Sequence, residues 1–314
     1  MNDSALMGLV LVAISLGTPL IYASVGEILA ERSGILNLGV QGMMLVGAVA
    51  GFWAVFTTEN LWLGVLIAML AGAVMSAVHA FNSVTLRVNQ IVSGLALTIF
   101  GIGLSTFIGR AGSTPLAGEP TPVTFQPILD GGLADIPLIG PILFGHDILI
   151  YLSWILVAAT SFYLFRTKAG LAVRAVGEDP ASAEAAGIDV GTVRYVHVLL
   201  GGALAGLGGA YFSLARNPSW QDEPIGAAGW IAIALVILAS WRPWRALFAA
   251  YLFGAAGQLN FYFQTIGVDV PASLLAMLPF VLAIIAMILI TSGKRARTLG
   301  APAALAIPYY REQR

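Results

Sequence analysis

Residues 226–241 read GAAGWIAIALVILASW. The run is apolar throughout, yet it falls short of the roughly 20 residues that cross ~30 Å of hydrocarbon as a helix. Its reading decides the architecture. Longer apolar runs lie at 5–29, 35–57, 61–81, 91–109, 146–165, 195–215, 245–264 and 271–291. Counting the short run as a crossing makes nine spans, with the N-terminus outside and the C-terminus inside. One face then carries Arg32, Arg87, Arg166, Lys168, Arg174, Arg194, Arg242, Arg245, Lys294, Arg295, Arg297, Arg311 and Arg314, and only Arg110 and Arg216 lie opposite. Such asymmetry marks a cytoplasmic face. Without the short run, the polar segment 166–194 and the basic tail 293–314 would fall on opposite sides.

The expectation is an all-α, polytopic inner-membrane helical bundle of about nine spans (8–10), forming one transmembrane domain over 1–314. A broken or re-entrant helix also fits. Thr18-Pro19 can kink the first span, and Asn217-Pro218 with Pro224 can hold a dipping loop at 216–228. The loop 110–145, placed outside, holds Pro115, Pro120, Pro122, Pro127, Pro137 and Pro141 and cannot be one regular helix.

Composition agrees. The 314 residues are 58% hydrophobic and 10% charged, against ~25% charged in soluble domains. A net charge of −1 speaks against nucleic acid as a partner and leaves membrane lipid as the surroundings. The absence of cysteine rules out disulfides, thiol catalysis and Cys-based metal sites. His79, His146 and His197 are scattered and form no HExxH pattern, so no metal site is expected. The start MNDSAL lacks the basic region of a cleaved signal, so the first run reads as a retained span.

Against this background the stretch GLAVRAVGEDPASAEAAGIDVG, 170–191, is a polar island. It reads as two short helices. The first runs roughly Thr167–Val176 and stops near Gly177. Asp179 then serves as N-cap, Pro180 takes the first helical position and Gly187 falls just past the end. Ala181, Ala183, Ala185 and Ala186 present a smooth surface. It suits close docking, and it equally suits a well-capped solvated loop.

The run TKAGLAVRAVGEDPASAEAAGIDVGTVRY resembles the cytoplasmic coupling segment of permease subunits in bacterial ABC importers for nucleosides and simple sugars. Branched-chain amino-acid permeases have a related segment. ERSGILNLGVQGMMLVGA, 31–48, and VDVPASLLAMLPFVLAII, 268–285, are similar to the same permeases. The family often has a carboxylate where this chain has Gln41, Asn where it has Asp179 and Tyr where it has Phe280. The resemblance implies a second permease, as a heterodimer, two ATPase subunits and an extracellular substrate-binding lipoprotein. It implies that Gly170, Arg174, Gly177, Glu178, Pro180, Ala183 and Gly187 contact the ATPase.

The chain lacks a GxxxxGK[ST] phosphate loop, and its two lysines, Lys168 and Lys294, fit none. No catalytic residue or cofactor is expected in it; ATP and Mg belong to the partner. Ionisable residues at membrane depth look almost absent, with Glu27 and Glu31 placed near the inner end of the first span. A proton-coupled secondary carrier needs such a relay, so that alternative is disfavoured. A path without fixed charge suits a neutral polar solute, and a branched-chain amino acid remains the alternative cargo. Asn37, Gln41, Asn89, Gln90, Ser93, Asn260 and Gln264 are candidate path lining, because amides donate and accept as a sugar hydroxyl requires. Interhelical bonding is the competing reading. Asn37 and Gln41, four apart, would share a helix face. Gly202, Gly206 and Gly209 form a smooth stripe for helix packing. A bulky residue at Gly206 is expected to lower transport while leaving expression intact.

Overall fold

The computed structural model describes residues 3–110, 116, 118–129, 131–137, 139–221, 225–265, 271, 274, 277, 281, 284, 285, 288 and 300–310, with backbone alone at 3–6, 135 and 259–265. It contains α1 (Asp3–Arg32), α2 (Val40–Thr58), α3 (Leu61–Ala80), α4 (Gln90–Arg110), α5 (Ile139–Phe144), α6 (Ile148–Arg166), α7 (Lys168–Glu178), α8 (Pro180–Ala185), α9 (Val190–Tyr211), α10 (Ala228–Leu238) and α11 (Pro243–Thr265). Widened π turns extend α3 through Thr85 and α9 through Arg216. Among the described residues β pairing is limited to two isolated bridges, Pro120 with Ser219 and Pro127 with Asp147.

Among the described residues, six helices are long and apolar enough to cross a bilayer: Met7–Arg32, Val40–Thr58, Leu61–Thr85, Gln90–Arg110, Ile148–Arg166 and Val190–Arg216. The chain is a multi-pass membrane protein. The run at 226–241 is not a full crossing. α10 has 11 residues, about 16 Å at helical rise, half the hydrocarbon thickness. The span expected at 271–291 lies mostly outside the described residues, as do Pro115, Pro224 and the basic side chains of the tail.

The bundle has a centre and a rim. Within their most apolar windows, α2 is 78% buried and α9 72%, whereas α3, α4 and α6 are each 33% buried. The outer helices turn Val74, Ile99, Phe107 and Phe162 outward, where lipid replaces a protein partner. α9 packs against α1, α2 and α3. The small-residue stripe makes this possible. A Cβ on Gly206 would fall on the Ala68 carbonyl, and one on Gly209 on the Met44 carbonyl. Such close backbone approach is how apolar helices gain van der Waals contact in lipid. α1 continues through Pro19, and the Thr18 hydroxyl donates to the Ile14 carbonyl at 2.8 Å.

α1 stops because Gly34 takes a left-handed φ of +92°, closing the helix with Gly34 N–H to Glu31 O at 2.9 Å. Residues 33–39 are then non-helical, and α2 starts at Val40 rather than near 35. Asn37 and Gln41 therefore share no helix face.

Candidate functional site

Two places draw together the residues singled out above. The first is the non-helical link 33–39. It is buried for most of its length, with Ile35 and Asn37 at 1% exposure or less. Backbone at such depth needs internal partners, and the polar side chains supply them. Gln90 Oε1 accepts from Leu36 N–H at 2.8 Å. His79 Nε2 donates to the Leu36 carbonyl at 3.0 Å, and its Nδ1 lies 3.1 Å from the Ser93 hydroxyl. Thr98 donates to Leu38 O. Asn37 accepts from Gly39 N–H at 3.0 Å, and its own N–H donates to Glu27 Oε1 at 2.8 Å.

Gln41 bridges from this link to the half-length helix. Its Nε2 donates to Gly226 O at 2.6 Å, and its Oε1 accepts from Gly229 N–H at 2.7 Å. One side chain thus holds the start of α10 at membrane depth. Asn89 is exposed and accepts from Val92 N–H at the start of α4. The side chains of Asn260 and Gln264 lie outside the described residues. Asn37, Gln41, Gln90 and Ser93 cluster around the link, while Asn89 stands apart at a helix end.

Glu27 and Glu31 refine the sequence reading of the first span. Both are 1% exposed and lie one helical turn apart with their carboxyls facing. Trp241 Nε1 donates to Glu31 Oε2. Glu27 Oε2 and Glu31 Oε1 have no donor. Both acids lie near the end of α1, as the sequence places them, but they are buried in protein. Hydropathy could not show that burial because it scores position along a span, not what packs beside it.

The second place is the polar island. Thr167 accepts from Gly170 N–H to start α7. Asp179 Oδ1 accepts from Ala181 and Ser182 N–H at 3.1 and 3.2 Å to start α8, with Pro180 at the first position. The Ser182 hydroxyl also donates to Asp179, and this bond chiefly holds the exposed Asp179 carboxyl below its ordinary value of 3.8. Gly187, φ +84°, ends the segment. Ala183 is buried with Val176 and Val190. Arg174 lies over the Phe165 ring at 5.4 Å. Glu178, Ala181, Ala185 and Ala186 face outward.

This island is stitched to the end of α1. Gly177 packs so closely that an added Cβ would strike the Arg32 carbonyl. Arg194, 2% exposed, donates from Nε to Ser33 O at 3.2 Å. Residues 301–310, which no local motif singled out, lie across the junction. Ala304 N–H donates to Gly177 O at 2.9 Å, and Ala306 N–H to Gly34 O at 3.2 Å. Tyr309 donates to Glu184, and Arg87 sits 4.9 Å from the Tyr310 ring centre.

At the opposite end a cavity of about 300 Å³ includes Ser15, His146, Asp147, Tyr211 and Arg216 in its lining. Asp147 caps α6 and accepts from the Tyr211 hydroxyl at 3.3 Å. Burial raises the Asp147 carboxyl above 3.8 despite those bonds. Burial likewise lowers the His146 imidazole below 6.5. Beside it, residues 217–220 dip inward and bury Trp220 fully against Phe52.

Residues 9–290 match the family model described as branched-chain amino acid transport system / permease component. The chain is 42% identical to the "Putative glucose ABC transporter permease protein TsgC13" of Haloferax volcanii, over 82% of this chain and 78% of that one. It is 33% identical to the guanosine ABC transporter permease protein NupQ of Bacillus subtilis, over 94% of both. It is 35% identical to the nucleoside ABC transporter permease protein NupC of Lactococcus lactis, over 87% and 88%. In each organism a second permease is more distantly similar. TsgB13 is 28% identical over 87% of this chain and 74% of its own. NupB is 24% and NupP 22% identical, each over 77% and 71%.

Proposed function

Because the chain belongs to the permease-component family of the branched-chain amino acid transport system, we propose that it is the membrane-spanning gate of an ATP-driven importer for nucleosides or simple sugars. The names of its most similar relatives favour that cargo. The family description favours a branched-chain amino acid as the second reading. In this proposal the arginine-rich end faces the cytoplasm, and the N-terminus lies outside. α7 and α8 receive a separate ATPase that carries ATP and Mg: exposed Glu178 and Gly187 and half-buried Arg174 and Pro180 offer the contact, while buried Gly170, Gly177 and Ala183 seat the two helices on the rest of the chain. An extracellular binding lipoprotein delivers the solute. Finding a close and a distant permease in each of three organisms supports a heteromeric pair, with this chain on the TsgC13, NupC and NupQ side.

The observation that carries the proposal is the rigid seam between the island and the link. A push on α8 reaches α7, and Gly177 passes it to the backbone of α1 and to residues 33–39, around which Asn37, Gln90 and Ser93 gather. Rigid elements transmit such displacement, whereas a loose loop would absorb it. Rim charges such as Glu178 set register and partner choice. The test is uptake of labelled guanosine, glucose and leucine by vesicles holding the chain, its co-encoded permease, ATPase and lipoprotein. ATP-dependent uptake of guanosine or glucose, abolished by Gly177→Val, supports the reading. Uptake of leucine alone would move the cargo to the second reading. Accumulation without the ATPase would end the proposal.

A further inference from the structure

We infer that the arginine-rich end carries a binding site for the phosphate headgroup of an anionic membrane lipid, in the cleft between α6 and the start of α11. A cavity of about 310 Å³ opens there, lined by Ser161 and Phe165 of α6 and by Arg242, Trp244 and Arg245. Arg242 and Arg245 are exposed, and among the described residues neither is ion-paired to a carboxylate. Two further guanidiniums border the same wall, Arg32 at 5.8 Å and Arg174 at 5.4 Å from the Phe165 ring centre. Of the acids at this end, Glu31 is buried against Trp241, Glu178 stands exposed near Arg32, Asp179 and Asp189 accept from the first turns of α8 and α9, and Glu184 accepts from Tyr309. The cavity lining thus holds two arginines and no acid. Guanidinium forks match phosphate oxygens in shape as well as sign.

The walls point to a lipid rather than a free anion. Trp244 is 47% exposed at the mouth, as an indole at a membrane interface should be. Phe248 and Leu252 follow it at spacings of four along α11, 69% and 53% exposed. Phe162, 64% exposed, stands next to Ser161 on α6. A headgroup between the arginines would lay its acyl chain along these side chains, and basic pockets between spans on a positive face bind such headgroups. A soluble phosphate would leave that strip unused. The inference does not depend on which solute the protein carries.

The test is native mass spectrometry of the full-length chain released from micelles holding equal dioleoyl-phosphatidylglycerol and dioleoyl-phosphatidylcholine. The wild type should retain phosphatidylglycerol selectively. In R242Q/R245Q the preference should fall about 30-fold, the effect of two surface cations, with helical circular dichroism unchanged. R242K/R245K should fall between the two. Equal retention of both lipids by the wild type would refute the site, as would an unchanged preference in the glutamine variant. Displacement of the lipid by millimolar inorganic phosphate would reassign the cleft to a soluble anion and overturn the lipid assignment. If the glutamine variant fails to fold, the wild-type selectivity and the phosphate competition decide.

Discussion

Gln41 commits both halves of its amide to the first turn of α10. Gln41→Ala would leave the buried Gly229 N–H unpaired, at about 1–3 kcal/mol, while the exposed Gly226 carbonyl could turn to solvent. The thermal midpoint of the purified chain should drop accordingly, and an unchanged midpoint would show that the amide holds nothing. Asp147 sets a pH response. Its folded carboxyl binds a proton more tightly than the unfolded one, because burial raises it. The folded state then holds more protons than the unfolded, so stability falls as pH rises from the ordinary carboxylate value through the raised one. Asp147→Asn, which keeps an acceptor for α6, should flatten that part of a melting-versus-pH curve. Sequence had marked Gln41 as polar and interesting but had put Asn37 on the same helix face, because ILNLG looks as helical as the α2 it precedes. Only the partners of its backbone groups show that the link is non-helical.

Among the elements, the signals of α8 were legible because each is local: Asp179, Pro180 and Gly187 act within four residues of themselves. Those of α7 were not, since Thr167 is its N-cap rather than its first residue and the helix runs past Gly177 to Glu178. The seating of residues 301–310 was not, because its partners Gly34 and Gly177 lie far away in sequence. Deleting 301–310 should leave the bundle inserted and reduce ATP-dependent uptake by about tenfold or more, since three hydrogen bonds worth about 1 kcal/mol each are lost at the seam. Full uptake after deletion would show that this segment takes no part in coupling. The glycine stripe carries a revised expectation. Gly206 meets Ala68 and Gly47 with backbone against backbone. Gly206→Leu should therefore cut the yield of folded protein, at about 1–3 kcal/mol or more for overpacking, not merely slow transport. Fluorescence-detected size exclusion distinguishes the two.

For the whole molecule, hydropathy and charge were enough to place a polytopic bundle. They marked 226–241 as marginal yet counted it as a span, and its helix α10 covers only half a crossing. They could not show which helices are central, since α2 and α3 have similar composition but opposite burial; that follows from glycine and alanine spacing read across partners. The proposal makes the chain a passive gate. Reconstituted alone, it should fail to concentrate guanosine or glucose under any ion gradient, and adding the ATPase, partner permease and binding lipoprotein with ATP should produce accumulation. The buried Glu27 and Glu31 pair makes the lone-chain experiment more than a formality, because such acids are what a gradient-driven carrier would use.

The meeting of Gly34, Gly177 and Ala304 joins three remote stretches of chain at one point. Contacts between distant positions carry the largest closure entropy, so this junction is costly to assemble, and it is the surface that the proposal assigns to the ATPase. A terminal strap seated by a few hydrogen bonds is among the first elements to open locally. A protease sampling the native state should nick near residue 300 well before it reaches the spans, and the clipped product would sit correctly in the membrane while answering poorly to its motor.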